Sequence, residues 1–415
     1  MALWKSVCIV LCSAIFMGAC GDEGERERDT QAPDSASATT VSDTDTVPVD
    51  VDSRTGDTGS ETADNTVARH NFCNDIGNEF AMGAAIYGDS GTDWYLSLAS
   101  PPSSVDWFTG YMYSSGDPAA DPAGFEWIVN FRMDTAIQGG ATLPMVTFYR
   151  MLNVGEDFGY AGSEAQIVQQ MLQDGNAVRK YIDDFVAVLQ ILNQRTTPGI
   201  LHVEPDSWGF MMWVFDGAPG SDGAGDAEGI PVALAAAGHS ALTGKSFPDT
   251  AGGLGQAMLY LRDTYAPELR MGWHASNFRV GTRPEVVTSF YSTMGAWDLI
   301  VTEPPHMVNN GIGPWDMSAS DNQANQNWLR TVSTRTGLPI VIWQTYVQEA
   351  DPSLGDWPAS KENMGMFAQN GVVAVFWDAN SEGCSYVCDG ANDLKTFLAN
   401  YATSPMALPE NSICR

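Results

Sequence analysis

The chain is expected to fold as an α/β protein built on one closed (β/α)8 barrel, the TIM-barrel class. Three observations predict it. Eight short apolar runs recur along the sequence, helix-like segments separate them, and the runs are apolar throughout rather than alternating. Strand–helix alternation implies a mainly parallel sheet. Strands that are apolar on both faces belong to a sheet covered by helices. Eight repeats favour closure into a barrel over an open doubly wound sheet. No G-x-G-x-x-G follows the first run and no G-x-x-x-x-G-K-[ST] occurs, so nothing supports nucleotide binding.

The first nineteen positions read as an export signal. Lys5 supplies the positive end, and Ser6 to Met17 is an apolar stretch too short to span a bilayer. It leads into Met17-Gly18-Ala19-Cys20, which resembles a bacterial lipobox with Cys20 as the lipidated first residue of the mature protein. The expected location is therefore exported and membrane-anchored, at the bacterial outer membrane or cell surface. Residues 20–70 read as a tether. They are rich in Asp, Glu, Thr, Ser and Gly and hold no aromatic residue, so they cannot bury enough surface to offset their ordering entropy. A flexible coil of about fifty residues spans on the order of 40 Å. Residues 71–415 form the expected barrel domain, a comfortable length for one barrel with long loops.

The eight expected strands are Phe80–Tyr87, Val105–Tyr113, Leu143–Tyr149, Ile200–Glu204, Leu269–Ala275, Asp298–Thr302, Ile340–Tyr346 and Val372–Trp377. Phe125–Gln138 reads as a helix before the third. Ser163–Gln194 carries apolar residues at helical spacing, including Tyr181, Phe185, Val188, Leu189 and Leu192. Trp213–Phe247, rich in Gly, Ala and Asp, reads as an extended loop. Ala251–Tyr265, Pro284–Met294, Asn322–Thr336, Lys361–Gln369 and Asn392–Tyr401 complete the helices. Glycine or proline punctuates the returns to strand, as in Gly337-Leu338-Pro339 and Asn370-Gly371.

A net charge of -31 argues against nucleic acid or anionic lipid as a partner and fits an extracellular protein acting on a neutral carbohydrate substrate; a monomer is expected. The only expected membrane contact is the lipid at Cys20. Of seven cysteines, Cys8 and Cys12 leave with the signal and Cys20 is lipidated. Cys73, Cys384, Cys388 and Cys414 remain, an even number in an oxidising compartment, with three possible pairings. Cys384–Cys388 as a small loop staple and Cys73–Cys414 across the domain ends are favoured. Zinc binding is the weaker alternative for these cysteines, since no C-x2-C pair and no H-E-x-x-H occur and there are only five histidines; no metal is expected, and no cofactor is implied.

The richest stretch is Gly199-Ile200-Leu201-His202-Val203-Glu204-Pro205-Asp206-Ser207-Trp208-Gly209. A buried strand ends abruptly in two carboxylates. If the strand stays extended through Pro205, Glu204 and Asp206 share a face. Barrels of this class place their sites at the carboxyl ends of the strands. The other exits carry Tyr149 and Arg150, His274, Glu303, Trp343 and Gln344, and Trp377 and Asp378. Carboxylates that flank one bond, one protonated and one ionised, are the equipment of glycoside hydrolysis. Clustering splits their pKa values. Glu204 or Asp206 is the expected acid, Glu303 the base or nucleophile, and Asp378 a reserve. Arg150, Tyr149, His274 and Gln344 are expected to bind hydroxyls or tune those carboxylates. Trp208, Trp343 and Trp377 are expected to stack on sugar rings. No G-x-S-x-G elbow supports serine chemistry.

Val203-Glu204-Pro205-Asp206-Ser207 resembles the EPDS strand end of the inverting cellobiohydrolase and endoglucanase family, which implies Asp206 as proton donor. Glu204-Pro205 after the fourth strand is also similar to the acid/base of the retaining (β/α)8 glycosidases, which implies Glu204 instead. Val203 stands where that clan has Asn, and Gln344 stands where it has its nucleophilic Glu, leaving Glu303 as the substitute. The resemblance implies a divergent barrel glycosidase acting on an extracellular polysaccharide. The other reading is a non-catalytic surface glycan-binding protein on the same scaffold. Two carboxylates in one open cleft would separate the two.

Overall fold

The computed structural model describes residues 72–86, 107–112, 134, 137, 143–196, 199–215, 218, 227–276, 283–303, 320–345, 361–379, 401 and 404–415. Every described residue belongs to one compact unit, Thr66–Arg415.

Eight parallel strands close a barrel in sequence order. They are β1 (Ala81–Ile86), β2 (Trp107–Met112), β3 (Met145–Phe148), β4 (Ile200–Val203), β5 (Arg270–His274), β6 (Leu299–Thr302), β7 (Ile340–Thr345) and β8 (Val372–Ala379). Closure is made by β8 against β1, from Ala81 opposite Ala374 to Ile86 opposite Ala379. All eight expected strands are present within a few residues of their expected bounds. The apolar runs are read so readily because both of their faces are covered: along β3, Phe148 turns outward onto Tyr181 and Phe185 at ring distances of 5.5 and 5.3 Å, while Thr147 turns inward.

The helices that cover the barrel are α2 (Met151–Asp157), α3 (Glu164–Gln173), α4 (Gly175–Asn193), α5 (Ser207–Trp213), α6 (Leu234–Ala237), α7 (Ala251–Tyr265), α8 (Pro284–Ser292), α9 (Ser320–Thr336) and α10 (Lys361–Gln369), preceded by α1 (Phe72–Ile76). The expected Ser163–Gln194 helix is two helices. Asp174 breaks it by taking an extended backbone and accepting from Asn176 N at 2.7 Å to cap α4, while Ser163 and Gln166 form a capping box on α3. Helix α4 buries a broad face that includes Tyr181, Phe185, Val188 and Leu189. Truncating Phe185 there to Ala would cost about 3–5 kcal/mol.

The Trp213–Phe247 stretch differs from the expected loop. Helix α5 starts directly after β4, and the described part beyond it holds α6 and two short 3-10 turns, Ala227–Gly229 and Ser240–Leu242. The α5 residues Ser-Trp-Gly-Phe-Met-Met-Trp are all buried, so no polar face announces a helix. The expected helices Phe125–Gln138 and Asn392–Tyr401 lie almost wholly outside the described residues.

At the amino-terminal end of the barrel, Cys73 and Cys414 are joined in a disulfide. Phe80 N donates to Met406 O and Leu408 N to Asn78 O, both at 2.8 Å, so the last described segment is laced to the lead-in of β1. Arg270, at the start of β5, pairs with Asp75 of α1 at 2.6 Å. Cys384 and Cys388 lie outside the described residues.

Candidate active site

The β4 exit is shaped by one backbone angle. Glu204 has φ 52, the left-handed region, and is the only described non-glycine residue there. Such a conformation costs on the order of 1–3 kcal/mol and persists only where the surroundings hold it. The surroundings here are specific. Glu204 Oε1 accepts from Arg150 N at 2.8 Å and Met151 N at 3.1 Å, and Oε2 accepts from Ser207 Oγ at 2.8 Å. Glu204 therefore clamps the start of α2 to the start of α5 and is wholly buried. Burial pushes its carboxyl up to about 7, against the opposing pull of its hydrogen bonds, one of them from Tyr181.

The same backbone angle breaks the strand alternation. Glu204 and Asp206 do not share a face, as an extended strand would require. Glu204 turns toward α2, α4 and α5. Asp206 keeps a solvent-reachable surface and feels Tyr149, His274 and Glu303. Its carboxyl is pushed up to about 6, first by burial and then by the Glu303 charge, with His274 and the Tyr149 hydroxyl pulling the other way. Glu303 lies at the exit of β6, where Oε1 meets His274 Nε2 at 2.8 Å and accepts from Ser276 Oγ at 3.1 Å. Asp206 and Glu303 are thus two electrostatically coupled carboxyls at the mouth of the barrel, and Tyr149 stands beside them.

Several expected site residues have other duties. Arg150 is buried, and its guanidinium pairs with Asp184 at 2.8 Å from Nη2 and 3.2 Å from Nε, with Lys180 on the other Asp184 oxygen. Arg150 stabilises a buried charge network outside the barrel wall rather than holding a substrate hydroxyl. Trp208 is fully buried, donating to Val203 O and packing edge-on against Phe290 and Trp297. It is core, with no face left for a sugar ring. Trp343 is 1% exposed and lies inside the barrel, its ring 4.4 Å from His202 and 5.6 Å from His274. Strand β7 does not neighbour β4 or β5, so these contacts cross the lumen. His274 is fully buried, hydrogen-bonded to Glu303 and close enough to act on the Asp206 carboxyl. The side chains of Gln344, Trp377 and Asp378 lie outside the described residues, as does Cys20.

One residue escaped the sequence reading. His202 on β4 is fully buried, with Thr147 Oγ1 at 3.0 Å from Nδ1 and His274 Nδ1 at 2.8 Å from Nε2. Burial holds its imidazole well below the ordinary value. The available signal was a histidine inside an otherwise apolar run, matched by a second histidine on the next strand. Gly272, opposite His202 in the β4–β5 ladder, has no room for a side chain: a Cβ there would stand 2.9 Å from Val301 Cγ2.

Among the described residues, no group of three or more His, Cys, Asp or Glu side chains could hold a metal ion. What the arrangement offers is proton chemistry: one carboxyl that keeps its proton to about pH 6, set against a second carboxylate buttressed by donors.

No protein-family model and no curated protein matches the chain. Among solved structures, a native Bacteroidetes-affiliated GH5 cellulase linked with a polysaccharide utilization locus superposes with a TM-score of 0.49 at 11% identity, covering 81% of this chain and 98% of that one. An exo-beta-1,4-mannosidase from Opitutaceae bacterium strain TAV5 superposes at 0.48 and 8% identity, covering 78% of this chain and 59% of that one. A family 1 beta-glucosidase from Thermotoga maritima superposes at 0.38 and 11% identity, over 73% of this chain and 88% of that one.

Proposed function

We propose that this chain is a glycoside hydrolase that cleaves glycosidic bonds of an extracellular polysaccharide by carboxylate acid/base catalysis. The observation that carries the reading is the pairing of Asp206 and Glu303 at the barrel mouth, with Asp206 pushed up to about 6 by burial and by the Glu303 charge. A glycosidase needs one carboxyl protonated and its partner ionised in one site. Asp206 is the acid that delivers a proton to the leaving oxygen. Glu303 is the carboxylate that activates water or attacks the anomeric carbon. Of the two candidate acids, Asp206 is favoured over Glu204 because Glu204 is enclosed and both of its oxygens accept hydrogen bonds. Tyr149 orients Asp206. The export signal and Cys20 support a lipid-anchored enzyme at the cell surface.

The test is reducing-sugar release by the intact chain on a polysaccharide panel, beside Asp206→Asn and Glu303→Gln. Release by wild type and loss in both variants is the expected result. Retention on a glycan without release, unchanged in both variants, would replace catalysis by glycan binding.

A further inference from the structure

Thr147, His202 and His274 lie on the adjacent strands β3, β4 and β5, and none of them is exposed. Their polar atoms run in one line toward the barrel mouth. Thr147 Oγ1 meets His202 Nδ1 at 3.0 Å, His202 Nε2 meets His274 Nδ1 at 2.8 Å, and His274 Nε2 meets Glu303 Oε1 at 2.8 Å. Trp343 packs its ring against both imidazoles from across the lumen. Water does not reach these buried rings, so their nitrogens find partners within the line.

We propose that Thr147, His202 and His274 form a one-way hydrogen-bond train that keeps a donor aimed at Glu303 Oε1, with Thr147 and His202 as positioning residues. The proposal rests on the reading of Glu303 as the ionised catalytic carboxylate. A carboxylate only accepts, so His274 carries its proton on Nε2. In the proposed train His274 is the neutral imidazole, and its bare Nδ1 requires the proton of His202 to sit on Nε2. The bare Nδ1 of His202 in turn requires the Thr147 hydroxyl as donor. Each tautomer is dictated by its neighbour, and the polarised line strengthens the last bond. Burial keeps His202 neutral, as this ordering needs. Among the described residues, the groups that also face Glu303 include Ser276, which donates to Oε1, and Asp206; Tyr149 and Glu164 act on Asp206.

The decisive variant is Thr147→Val, which keeps the shape and removes the donor, with Thr147→Ser as its rescue. The first readout is imidazole 15N NMR of the intact chain labelled at histidine, which needs no substrate. Both His202 and His274 are expected as Nε2–H tautomers at neutral pH in all three proteins, with the bare Nδ1 resonance of His202 shifted in Thr147→Val, where it loses its donor, and restored in Thr147→Ser. An Nδ1–H form of His274 in wild type, or spectra of Thr147→Val identical to wild type, would overturn the train. The second readout is kinetic, on any glycan that wild type cleaves. Thr147→Val is expected to lower kcat by up to roughly tenfold, the upper worth of one neutral hydrogen bond, with KM nearly unchanged and the acidic limb of the pH profile shifted upward. Thr147→Ser restores both. Expected tautomers with no glycan cleaved would leave the train standing and defeat the glycosidase reading. Cleavage that needs Asp206 and Glu303 but shows no change in Thr147→Val would do the reverse.

Discussion

Replacing Glu204 by Gln removes a buried ionisable group while keeping its shape, and the consequence is a stability change with a defined pH window. Burial raises the Glu204 carboxyl from 4.5 to about 7 in the folded protein. The folded state therefore holds a proton that the unfolded state releases between those values. The stability this gives is fully present below pH 4.5 and is lost as pH rises through about 7. A shift of about 2.5 units at 1.36 kcal/mol each amounts to about 3 kcal/mol. Gln accepts the Arg150 and Met151 backbone donors through its carbonyl and donates to Ser207 through its amide, so its own stability carries no such term. Urea unfolding of wild type and Glu204→Gln at pH 4.5, 6, 7.5 and 8.5 is the assay. The difference between the two is expected to move by about 3 kcal/mol toward the variant across that range. Asp206 titrates in both proteins and cancels. A difference that stays flat with pH would show that Glu204 ionises freely and that its enclosure is misread.

Activity should fall as pH rises through about 6, because Asp206 loses the proton it delivers; the pH profile of kcat/KM checks this. Asp206→Asn should lose roughly 100- to 10,000-fold in kcat on a substrate with a poor leaving group. Tyr149→Phe removes a hydrogen bond that lowers the Asp206 carboxyl, so the alkaline limb should move to higher pH in the same assay. Arg150→Met leaves Asp184 buried with Lys180 as its charged partner and should cost about 3–5 kcal/mol in denaturant unfolding; Asp184→Asn in that background should recover most of it.

The barrel was legible because parallel strands buried on both faces write mostly apolar runs, as β3, β4 and β6 do. Boundaries slipped where a single side chain decides them, as Asp174 does between α3 and α4. Helix α5 left no trace because it is apolar all round. The strand-exit rule picked out Asp206, Glu303, Tyr149 and His274, which lie within hydrogen-bonding or electrostatic reach of one another. It failed for Glu204 because nothing in a Glu-Pro pair signals a left-handed backbone, and that angle reverses which way the side chain turns. The tryptophans were misassigned for a related reason. Composition cannot tell an indole that faces a cleft from one that fills a core, and Trp208 and Trp343 fill cores. His202 was passed over because a lone histidine within an apolar strand has no periodicity to mark it.

The Cys73–Cys414 bridge determines how the domain would bear tension. A pull applied to the chain before residue 73 and after residue 414 runs through one covalent sulfur–sulfur link. The 340 residues between the two cysteines form a closed loop outside that load path. The barrel and its carboxyl pair would stay slack under strain that would peel an unbridged domain apart from its ends. Reduction of that one bond would place the whole loop under load.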